Sequence, residues 1–368
     1  MKILDFDQKT TPIQSLLAGH WFKLICGASY QDLPAVRNLA LAYALAGADC
    51  VDVAADLAVV SAAKEGVAVA ERLASKVNSQ WHRPDYKRPL LMVSMSAGED
   101  PHFRKAWFNP AVCPADCARP CEEICPAAAI AFNLHHSGVV HDRCYGCGRC
   151  LPICPYGLIE ARSQPTSLDA IAQQVLSQAD ALEIHTQVGQ LSAFTHLWRT
   201  IQPRTRHLQL ISISCPDSKD LTGYLKELQQ VMDIPSGKVS PVLVWQTDGR
   251  PMSGDIGKGT THAAIRLAQK VLAADLSGYV QLAGGTNQYT LTKLNELGLL
   301  ASNSSSAATS STVSGIAYGS YARRLLMPVI EQNYYLEEVP RSLQTAVTLA
   351  ESLVLPLKQA TIGPQKAQ

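Results

Sequence analysis

Two runs of four cysteines, each closed by a Cys-Pro pair, constrain the fold of this chain more than any other feature. The chain has 368 residues and 11 cysteines, and eight of these cysteines lie between positions 113 and 154. The first run reads Cys113-x3-Cys117-x3-Cys121-x3-Cys125-Pro126, and the second reads Cys144-x2-Cys147-x2-Cys150-x3-Cys154-Pro155. The second run has the spacing of bacterial ferredoxins, whose cysteine thiolates ligate cuboidal iron–sulfur clusters. We therefore expect a small module that binds two clusters.

The fourth cysteine of each run is expected to ligate the cluster enclosed by the other run. Three cysteines at short spacing curl around one cluster, and in two-cluster ferredoxins the fourth cysteine reaches the second cluster. The proline that follows turns the chain away. We predict two 4Fe–4S clusters, one bound by Cys144, Cys147, Cys150 and Cys125, and the other by Cys113, Cys117, Cys121 and Cys154.

The first run has three residues in gaps where two are typical, which leaves the role of Cys113 open. Zinc is the alternative for a cysteine cluster, because structural zinc sites commonly use pairs of Cys-x2-Cys. Two runs of four cysteines that each end in proline fit zinc poorly. An apolar stretch follows each Cys-Pro pair, at 127–132 and 156–159, and we expect these stretches to form paired strands that shield the clusters.

Outside the cysteine module, short apolar segments rich in β-formers alternate with amphipathic helical segments. This alternation favours parallel strands joined by helical crossovers. Eight such strands match an α/β fold of the (β/α)8 barrel type, with an open doubly wound sheet as the alternative. The predicted strands are Phe22–Gly27, Cys50–Val53, Leu90–Ser94, Ala181–His185, His207–Ile213, Pro241–Gln246, Gly278–Leu282 and Gly315–Tyr318.

The cysteine module is predicted to be an α+β ferredoxin-like domain inserted after the third strand. The predicted domains are 1–98 and 164–358 for the barrel, 99–163 for the insertion and 359–368 for a flexible tail. Loops after barrel strands leave their carboxyl ends, where barrel enzymes keep their active sites. The clusters would therefore lie at the mouth of the barrel.

Two glycine-containing loops follow the seventh and eighth strands and predict a phosphate site. Barrels often bind phosphate with these two loops, because glycine lets backbone N–H groups approach an anion. The predicted ligand is a flavin or another phosphate-bearing molecule, and the alternative is that the glycines serve turn geometry alone. The candidate residues are Gly284, Gly285, Thr286, Gly319 and Ser320.

The charge and hydropathy of the chain exclude several classes of partner. The formal net charge is +1, which gives no electrostatic footprint for nucleic acid. No apolar run has the length of a membrane-spanning helix. Free thiols that serve as cluster ligands imply a reducing compartment, so we expect a cytoplasmic location.

The two cysteine runs and the flanking stretches Gly98 to Phe108 and Ile316 to Arg324 carry a family resemblance. The chain resembles the light-dependent period family, cyanobacterial iron–sulfur proteins of light input to the circadian clock. The resemblance implies two 4Fe–4S clusters and a redox sensor that reports photosynthetic electron flow to clock components. It also implies redox donors or acceptors and signalling proteins as partners. The family provides no catalytic residues to carry over.

Two functional classes compete on these observations. In the first, the protein is a non-enzymatic redox sensor whose cluster state alters its contacts with partners. In the second, it is an oxidoreductase whose clusters pass electrons to a flavin or a phosphorylated substrate in the barrel. Since no general base or nucleophile is evident at a strand end, we favour the sensor and leave the catalytic residues unassigned.

Overall fold

The computed structural model describes residues 11–359 except 78, 99–103, 126, 145, 147, 164–173, 235–240, 251–256, 258 and 301–310. Twelve strands lie within the described residues. They are β1 (Trp21–Gly27), β2 (Cys50–Ala54), β3 (Leu90–Ser96), β4 (Arg104–Trp107), β5 (Ile130–Phe132), β6 (Ser137–Val139), β7 (Glu160–Ser163), β8 (Ala181–His185), β9 (Leu210–Pro216), β10 (Val242–Asp248), β11 (Tyr279–Ala283) and β12 (Gly315–Tyr318).

Eight of these strands form a closed barrel in the order β1-β12-β11-β10-β9-β8-β3-β2. Every neighbouring pair is parallel, and the barrel closes where β1 pairs with both β2 and β12. At that closure Lys23 lies opposite Cys50 on one side and Ala317 on the other. The predicted eight-stranded barrel is therefore confirmed, and the open sheet is excluded.

Helix α1 (Pro12–Leu17) precedes β1. The helices that connect or follow the barrel strands pack on the outer face of the barrel. They are α2 (Leu33–Leu45), α3 (Leu57–Ser75), α6 (Leu191–Ile201), α7 (Leu221–Met232), α8 (Thr261–Leu272), α9 (Thr290–Glu296), α10 (Ser320–Ile330) and α11 (Pro340–Gln359). Aspartates cap the first two crossover helices: Asp32 accepts the N–H of Ala35 at 3.2 Å, and Asp56 accepts that of Ala58 at 2.8 Å. These caps satisfy N–H groups that have no partner within the helix. None of the described helices is long and apolar enough to cross a membrane.

Successive side chains of each barrel strand alternate between the helical layer and the barrel interior. On β1, Phe22 and Leu24 join the main apolar core under the helices, while Trp21 belongs to a separate apolar cluster. That cluster includes Cys50 and Met92 from β2 and β3, and Leu16 of α1 packs against them. The apolar cluster thus fills the amino-terminal end of the barrel interior, and α1 covers it.

The observed barrel strands agree with the predicted ones to within a few residues. The largest difference is at β9, which begins at Leu210 rather than at His207 and extends to Pro216. The ring of His207 is instead hydrogen-bonded through Nε2 to the carbonyl oxygen of Leu176 at 2.9 Å, so this residue lies in the preceding loop.

The segment between β3 and β8 forms the inserted module, with α4 (Pro120–Glu123) and α5 (Cys150–Ile153) as its short helices. Strand β4 pairs antiparallel with β7, and β5 pairs antiparallel with β6. Apolar side chains and the cysteines share a small core of their own. Its buried apolar members are Ala106, Phe108, Ala129, Ile130 and Ile159. Residues 99–103 and 164–173, next to the two predicted boundaries of the module, lie outside the described residues, and so does the tail from 360. The domain limits therefore stay predictions.

The prediction that the stretches at 127–132 and 156–159 pair with each other is wrong. Strand β5 pairs with the nearby β6, and the strand after the second Cys-Pro begins only at Glu160 and pairs with β4. The side-chain oxygen of Asn133 accepts the N–H groups of His135 and His136 at 2.9 and 3.0 Å. This turn joins β5 and β6 into a local hairpin. Closing such a short loop costs less conformational entropy than pairing two strands that are far apart in the sequence.

Gly66 of α3 lies where this helix crosses α2 and provides a test of the fold. A Cβ atom there would lie 2.2 Å from the carbonyl oxygen of Arg37 and 3.1 Å from the backbone nitrogen of Leu41. We expect Gly66→Ala to lower the free energy of unfolding by about 1–3 kcal/mol, because the helices must separate. Gly223 on the exposed face of α7 has no atom within 4 Å of such a Cβ. As the matched control, Gly223→Ala should raise the free energy of unfolding by about 0.5–1 kcal/mol. Urea denaturation measures both variants, and an equal change in the two would contradict a close crossing of α2 and α3.

Candidate iron–sulfur centre

Cysteines from both runs come together at one cavity of the module. Cys125 of the first run and Cys144 and Cys150 of the second run line this cavity. Gly146 and Gly148 line it as well, with φ angles of 72° and 73°, a conformation that favours glycine. Cys147 lies outside the described residues. The three described cysteines are those that the sequence assigns to one cluster, so their placement is compatible with that assignment.

The other four cysteines also lie near one another. The thiols of Cys113 and Cys117 share a hydrogen bond, and Cys154 contributes to the electrostatic environment of both Cys113 and Cys121. Burial, followed by the neighbouring thiols, raises the pKa of Cys113 above its usual value. Burial likewise raises the pKa of Cys121. Thiols crowded in this way resist ionisation together, and iron supplies the positive charge that would stabilise four thiolates.

Backbone N–H groups point at cysteine sulfur atoms in both groups. The N–H of Ala129 donates to Sγ of Cys125 at 3.2 Å, and that of Leu158 donates to Sγ of Cys154 at 3.4 Å. Each donor comes four residues after its cysteine, so the last cysteine of each run accepts an equivalent backbone hydrogen bond. The N–H of Ala106 donates to Sγ of Cys144 at 3.3 Å, and that of Arg119 donates to Sγ of Cys117 at 3.4 Å.

The donors around Cys154 favour its thiolate. Burial alone would raise the pKa of this thiol, but backbone hydrogen bonds from the residues of its turn outweigh burial and lower the pKa. A thiolate is the form that binds iron, so this donor set fits an iron–sulfur ligand. The sequence identified the cysteines but not the N–H donors, although the repeated Cys-Pro turn was the signal that would have found them.

Single metal ions need a tighter arrangement than a cluster does. Among the described residues, no group of three or more histidine, cysteine, aspartate or glutamate side chains is placed to hold one metal ion. A cuboidal cluster holds its four thiolates farther apart, because each binds a different iron atom. Cysteines whose sulfur atoms accept backbone N–H groups, as Cys125, Cys144 and Cys154 do, are a donor set that fits a cluster.

The module contacts the loop at the carboxyl end of β1. Lys105 of β4 donates through Nζ to the side chain of Gln31 at 2.7 Å and to the carbonyl oxygen of His141 at 2.8 Å. The N–H of Gln31 donates to the carbonyl oxygen of Asp142 at 2.9 Å. Arg143 pairs with Asp32, the cap of α2, at 3.4 Å. The chain just before Cys144 is thus attached to the barrel mouth.

The predicted phosphate loops lie next to each other, and neighbouring groups already surround their glycines. Gly284 and Gly285 have φ angles of 65° and 99°. A Cβ on Gly284 would lie 2.8 Å from the nitrogen of Gly249, and one on Gly285 would lie 2.8 Å from the carbonyl oxygen of Thr260. Close packing between loops therefore accounts for both glycines.

The polar side chains of these loops also have protein partners. The hydroxyl of Thr286 donates to the carbonyl oxygen of Ala317 at 2.7 Å, which joins the loop after β11 to the end of β12. Ser320 accepts from Nη2 of Arg323 at 3.2 Å, and Gly319 directly precedes α10. Phosphate binding at these residues stays a prediction.

The sequence reasoning missed a charged network inside the barrel. Lys23, Asp52 and Glu183 lie at interior positions of β1, β2 and β8, and all are almost fully buried. A polar residue at every second position of otherwise apolar strands was the signal, as in the segment Ala181-Leu-Glu-Ile-His185. His185, the last residue of β8, also belongs to this network.

Comparison with known proteins gives two family models that match the chain. The light dependent period A C-terminal domain matches residues 174–356, and the LdpA Fe-S cluster-binding domain matches residues 113–165. The chain is 53% identical over 361 residues to "Light dependent period A" of Synechococcus elongatus, covering 97% of this chain and 96% of that protein.

Other similarities extend over shorter parts of the chain. The chain is 43% identical over 52 residues to an uncharacterized ferredoxin of Methanocaldococcus jannaschii, covering 14% of this chain and 31% of that protein. It is 39% identical over 46 residues to "Electron transport protein HydN" of Escherichia coli, covering 12% and 26%. Among solved structures, a Mycobacterium tuberculosis tryptophan synthase has a TM-score of 0.42 at 11% identity, covering 92% of this chain and 94% of that one.

Proposed function

This chain belongs to the light dependent period A family, and we propose that it is a redox sensor carrying two 4Fe–4S clusters. The observation that carries the proposal is the grouping of cysteines from both runs in a module that is attached to the barrel mouth. Similarity of the cysteine region to a ferredoxin and to an electron-transport protein supports an electron-transfer role for the module.

In this proposal Lys105 connects the cluster site at Cys125, Cys144 and Cys150 to the barrel. A bound 4Fe–4S cluster would exchange one electron, which would change the total charge of the cluster and its four thiolates by one unit. The sulfur of Cys144 accepts the N–H of Ala106, and the neighbouring Lys105 ammonium feels the charge of that sulfur. More negative charge at Cys144 attracts the ammonium and weakens its hydrogen bond to Gln31. The loop at Gln31 and Asp32 is thereby the part of the barrel that responds to the redox state.

Hydrogen exchange on protein purified without oxygen tests this proposal. We expect amides at 29–33 to exchange about fivefold faster after reduction with dithionite, the effect of losing about one hydrogen bond. Amides of α7 on the far side of the barrel should exchange equally in both states. Equal exchange at 29–33 in the two states contradicts sensing through this loop.

Two variants separate the proposed coupling from a general loosening of the module. Lys105→Met keeps the length of the side chain but removes its charge, and Gln31→Leu removes the acceptor on the barrel side. Both are expected to retain iron and to lose the redox dependence of exchange. A difference that persists in both variants would assign the coupling to other residues.

The proposed partners are redox donors or acceptors and signalling proteins of the circadian clock. They follow from the resemblance carried by the two cysteine runs, and photosynthetic electron flow is the signal that we propose this protein reports. A cytoplasmic location is part of the proposal, because thiolates kept as cluster ligands need a reducing compartment. Co-purification of such partners should depend on the potential at which the protein is poised.

An iron–sulfur oxidoreductase is the second candidate, and the charged interior of the barrel favours it. An enzyme of this kind would pass electrons to a small molecule in the barrel. Anaerobic reoxidation of the reduced protein should then accelerate when the low-molecular-weight fraction of a cell extract is added. Unchanged reoxidation supports the sensor.

A further inference from the structure

The widened gap between Cys117 and Cys121 contains a residue in the left-handed conformation. Arg119 has a φ angle of 53° and a ψ angle of 50°. Residues with a side chain rarely adopt this conformation, whereas glycine adopts it readily. In the second run, Gly146 and Gly148 are the residues that have it. The first run therefore uses an arginine for a kind of turn that glycines make in the second run.

The backbone of Arg119 joins two segments that carry cysteines. Its N–H donates to Sγ of Cys117 at 3.4 Å. Its carbonyl oxygen accepts the N–H of Glu122 at 2.9 Å, within α4, the short helix that contains Cys121. The left-handed turn thus connects Cys117 to the helix of Cys121, and it contains the extra residue of the widened gap.

The side chain of Arg119 packs against the core of the module. Its guanidinium carbon Cζ lies 4.0 Å from the centroid of the Phe132 ring, and the face of an aromatic ring attracts a cation. The Phe132 ring lies 6.0 Å from the Phe108 ring, measured between centroids. The ring of Phe132 thereby holds the guanidinium on the surface of the module core.

The positive charge of Arg119 acts on the cysteines rather than on a carboxylate. Arg143 and Arg162 of the same module pair with Asp32 and Glu160, but within the part of the chain that the structure describes Arg119 forms no ion pair. Its Nε is buried and has no hydrogen-bond partner among those residues. Burial raises the pKa of the Cys113 thiol, and the charge of Arg119 opposes that rise.

A positive charge beside a cluster favours the reduced form of the cluster. Reduction adds one electron without making or breaking a bond, so the cluster and its thiolates become more negative by one unit. Net charge and hydrogen bonds to the sulfur atoms are among the factors that set the reduction potential of a cluster. Arg119 supplies both, a guanidinium charge near Cys113 and a backbone N–H to Cys117.

We propose that Arg119 raises the reduction potential of one cluster, the one assigned to Cys113, Cys117, Cys121 and Cys154. This inference rests on the proposal that the module carries two clusters. The charge of the arginine sets the potential at which this cluster is reduced. In a redox sensor it therefore sets the range of electron supply that the cluster reports.

A redox titration of the cluster-containing protein, with dithionite as reductant and electron paramagnetic resonance as readout, tests the proposal. Arg119→Gly keeps the left-handed turn and removes the charge. At a fixed potential, we expect the ratio of reduced to oxidised cluster to fall about tenfold, the effect of one nearby charge. For a one-electron couple this equals a shift of about 59 mV to more negative potential. Arg119→Lys keeps the charge and should restore most of the potential.

Arg162→Gln is the matched control. Arg162 also lies over an aromatic ring, that of Trp107, at 3.1 Å, but it pairs with Glu160 on the same exposed strand. Its replacement should leave the potentials of both clusters unchanged. An equal shift in Arg162→Gln and Arg119→Gly would mean that any positive charge of the module has this effect, and it would overturn the specific role of Arg119.

Combination with a ligand variant identifies the cluster that responds. Cys144→Ala is expected to retain the cluster near Arg119, so the shift caused by Arg119→Gly should persist in that background. Cys154→Ala is expected to retain the other cluster, and the shift should be absent there. A shift seen in Cys154→Ala but not in Cys144→Ala would overturn the proposal.

A second neutral variant and the iron content separate the ways in which the proposal can fail. Arg119→Asn also removes the charge, and asparagine tolerates the left-handed conformation, so it replaces Arg119→Gly if that variant loses iron. Loss of iron in both variants would overturn a role in setting the potential. Bound clusters with unchanged potentials in both would overturn this inference alone, whereas an unmodified protein without cluster signals would also overturn the two-cluster proposal.

Discussion

Replacing Cys144 by alanine is expected to remove about four of about eight iron atoms bound per chain and to leave the barrel folded. Cys144 lines the cavity shared with Cys125 and Cys150, so its loss removes one thiolate from that group alone. The module has its own small core, distinct from the main core of the barrel. Iron and sulfide content measured after anaerobic purification, with far-UV circular dichroism for the barrel, checks the result.

Pairs of variants test which cysteines share a cluster. Cys125 and Cys144 belong to one group, so the double variant Cys125→Ala/Cys144→Ala should lose no more iron than either single variant. Cys125→Ala/Cys154→Ala removes one cysteine from each group and should lose nearly all the iron. The first double variant distinguishes the two arrangements. Crossed ligation predicts that Cys125→Ala/Cys144→Ala keeps one cluster, whereas ligation within each run predicts that it loses both.

Cys215→Ala is the matched control for this experiment. This cysteine is buried at the end of β9 and packs in the main apolar core of the barrel, away from the module core. Its replacement should leave about eight iron atoms per chain. Complete loss of iron in Cys144→Ala would contradict two independent clusters, and full retention of iron would remove Cys144 from the ligands.

Most of the fold could be predicted from local sequence patterns. The barrel strands were predictable because they are short apolar runs between helical segments, and a parallel barrel buries both faces of each strand. The grouping of Cys125 with Cys144 was predictable because ferredoxin spacing encodes a crossed arrangement. The pairing of β4 with β7 was not, because it joins residues far apart in sequence whose apolar character is weak.

The barrel interior was harder to predict from sequence for a different reason. A single lysine or glutamate in an apolar strand has the same appearance whether it points to solvent or to the interior. Only the closed barrel brings Lys23 of β1 beside Glu183 of β8, which are 160 positions apart. The contact of Lys105 with Gln31 likewise depends on how the module is placed against the barrel.

Replacing Lys23 by methionine is expected to lower the free energy of unfolding by about 3–5 kcal/mol at pH 8, because two buried carboxylates lose their cation. Burial tends to lower the pKa of Lys23, but Asp52 and Glu183 outweigh burial and raise it, so the ammonium stays charged. Burial likewise tends to raise the pKa of Glu183, but Lys23 and then His185 hold it low. Urea denaturation followed by far-UV circular dichroism measures the loss, and a loss below about 1 kcal/mol contradicts a central role of the lysine.

The pH dependence of this loss follows from Asp52. Burial raises the pKa of Asp52 above its usual value, and Lys23 opposes the rise. Without the lysine, the pKa rises further, so the folded protein binds this proton more tightly than the unfolded chain does. Stability then falls as pH increases between the unfolded and the folded pKa. The loss in Lys23→Met relative to the unmodified protein should therefore be smaller at pH 6 than at pH 8.

Two further variants separate loss of charge pairing from loss of packing. Lys270→Met removes a surface ion pair with Asp217 and should change stability by no more than about 1 kcal/mol. The triple variant Lys23→Met/Asp52→Asn/Glu183→Gln removes the cation and both carboxylates at nearly constant volume. We expect it to recover most of the loss seen in Lys23→Met, because no buried charge is left without a partner. A triple variant as unstable as Lys23→Met would instead mean that the lysine acts through the packing of its aliphatic chain.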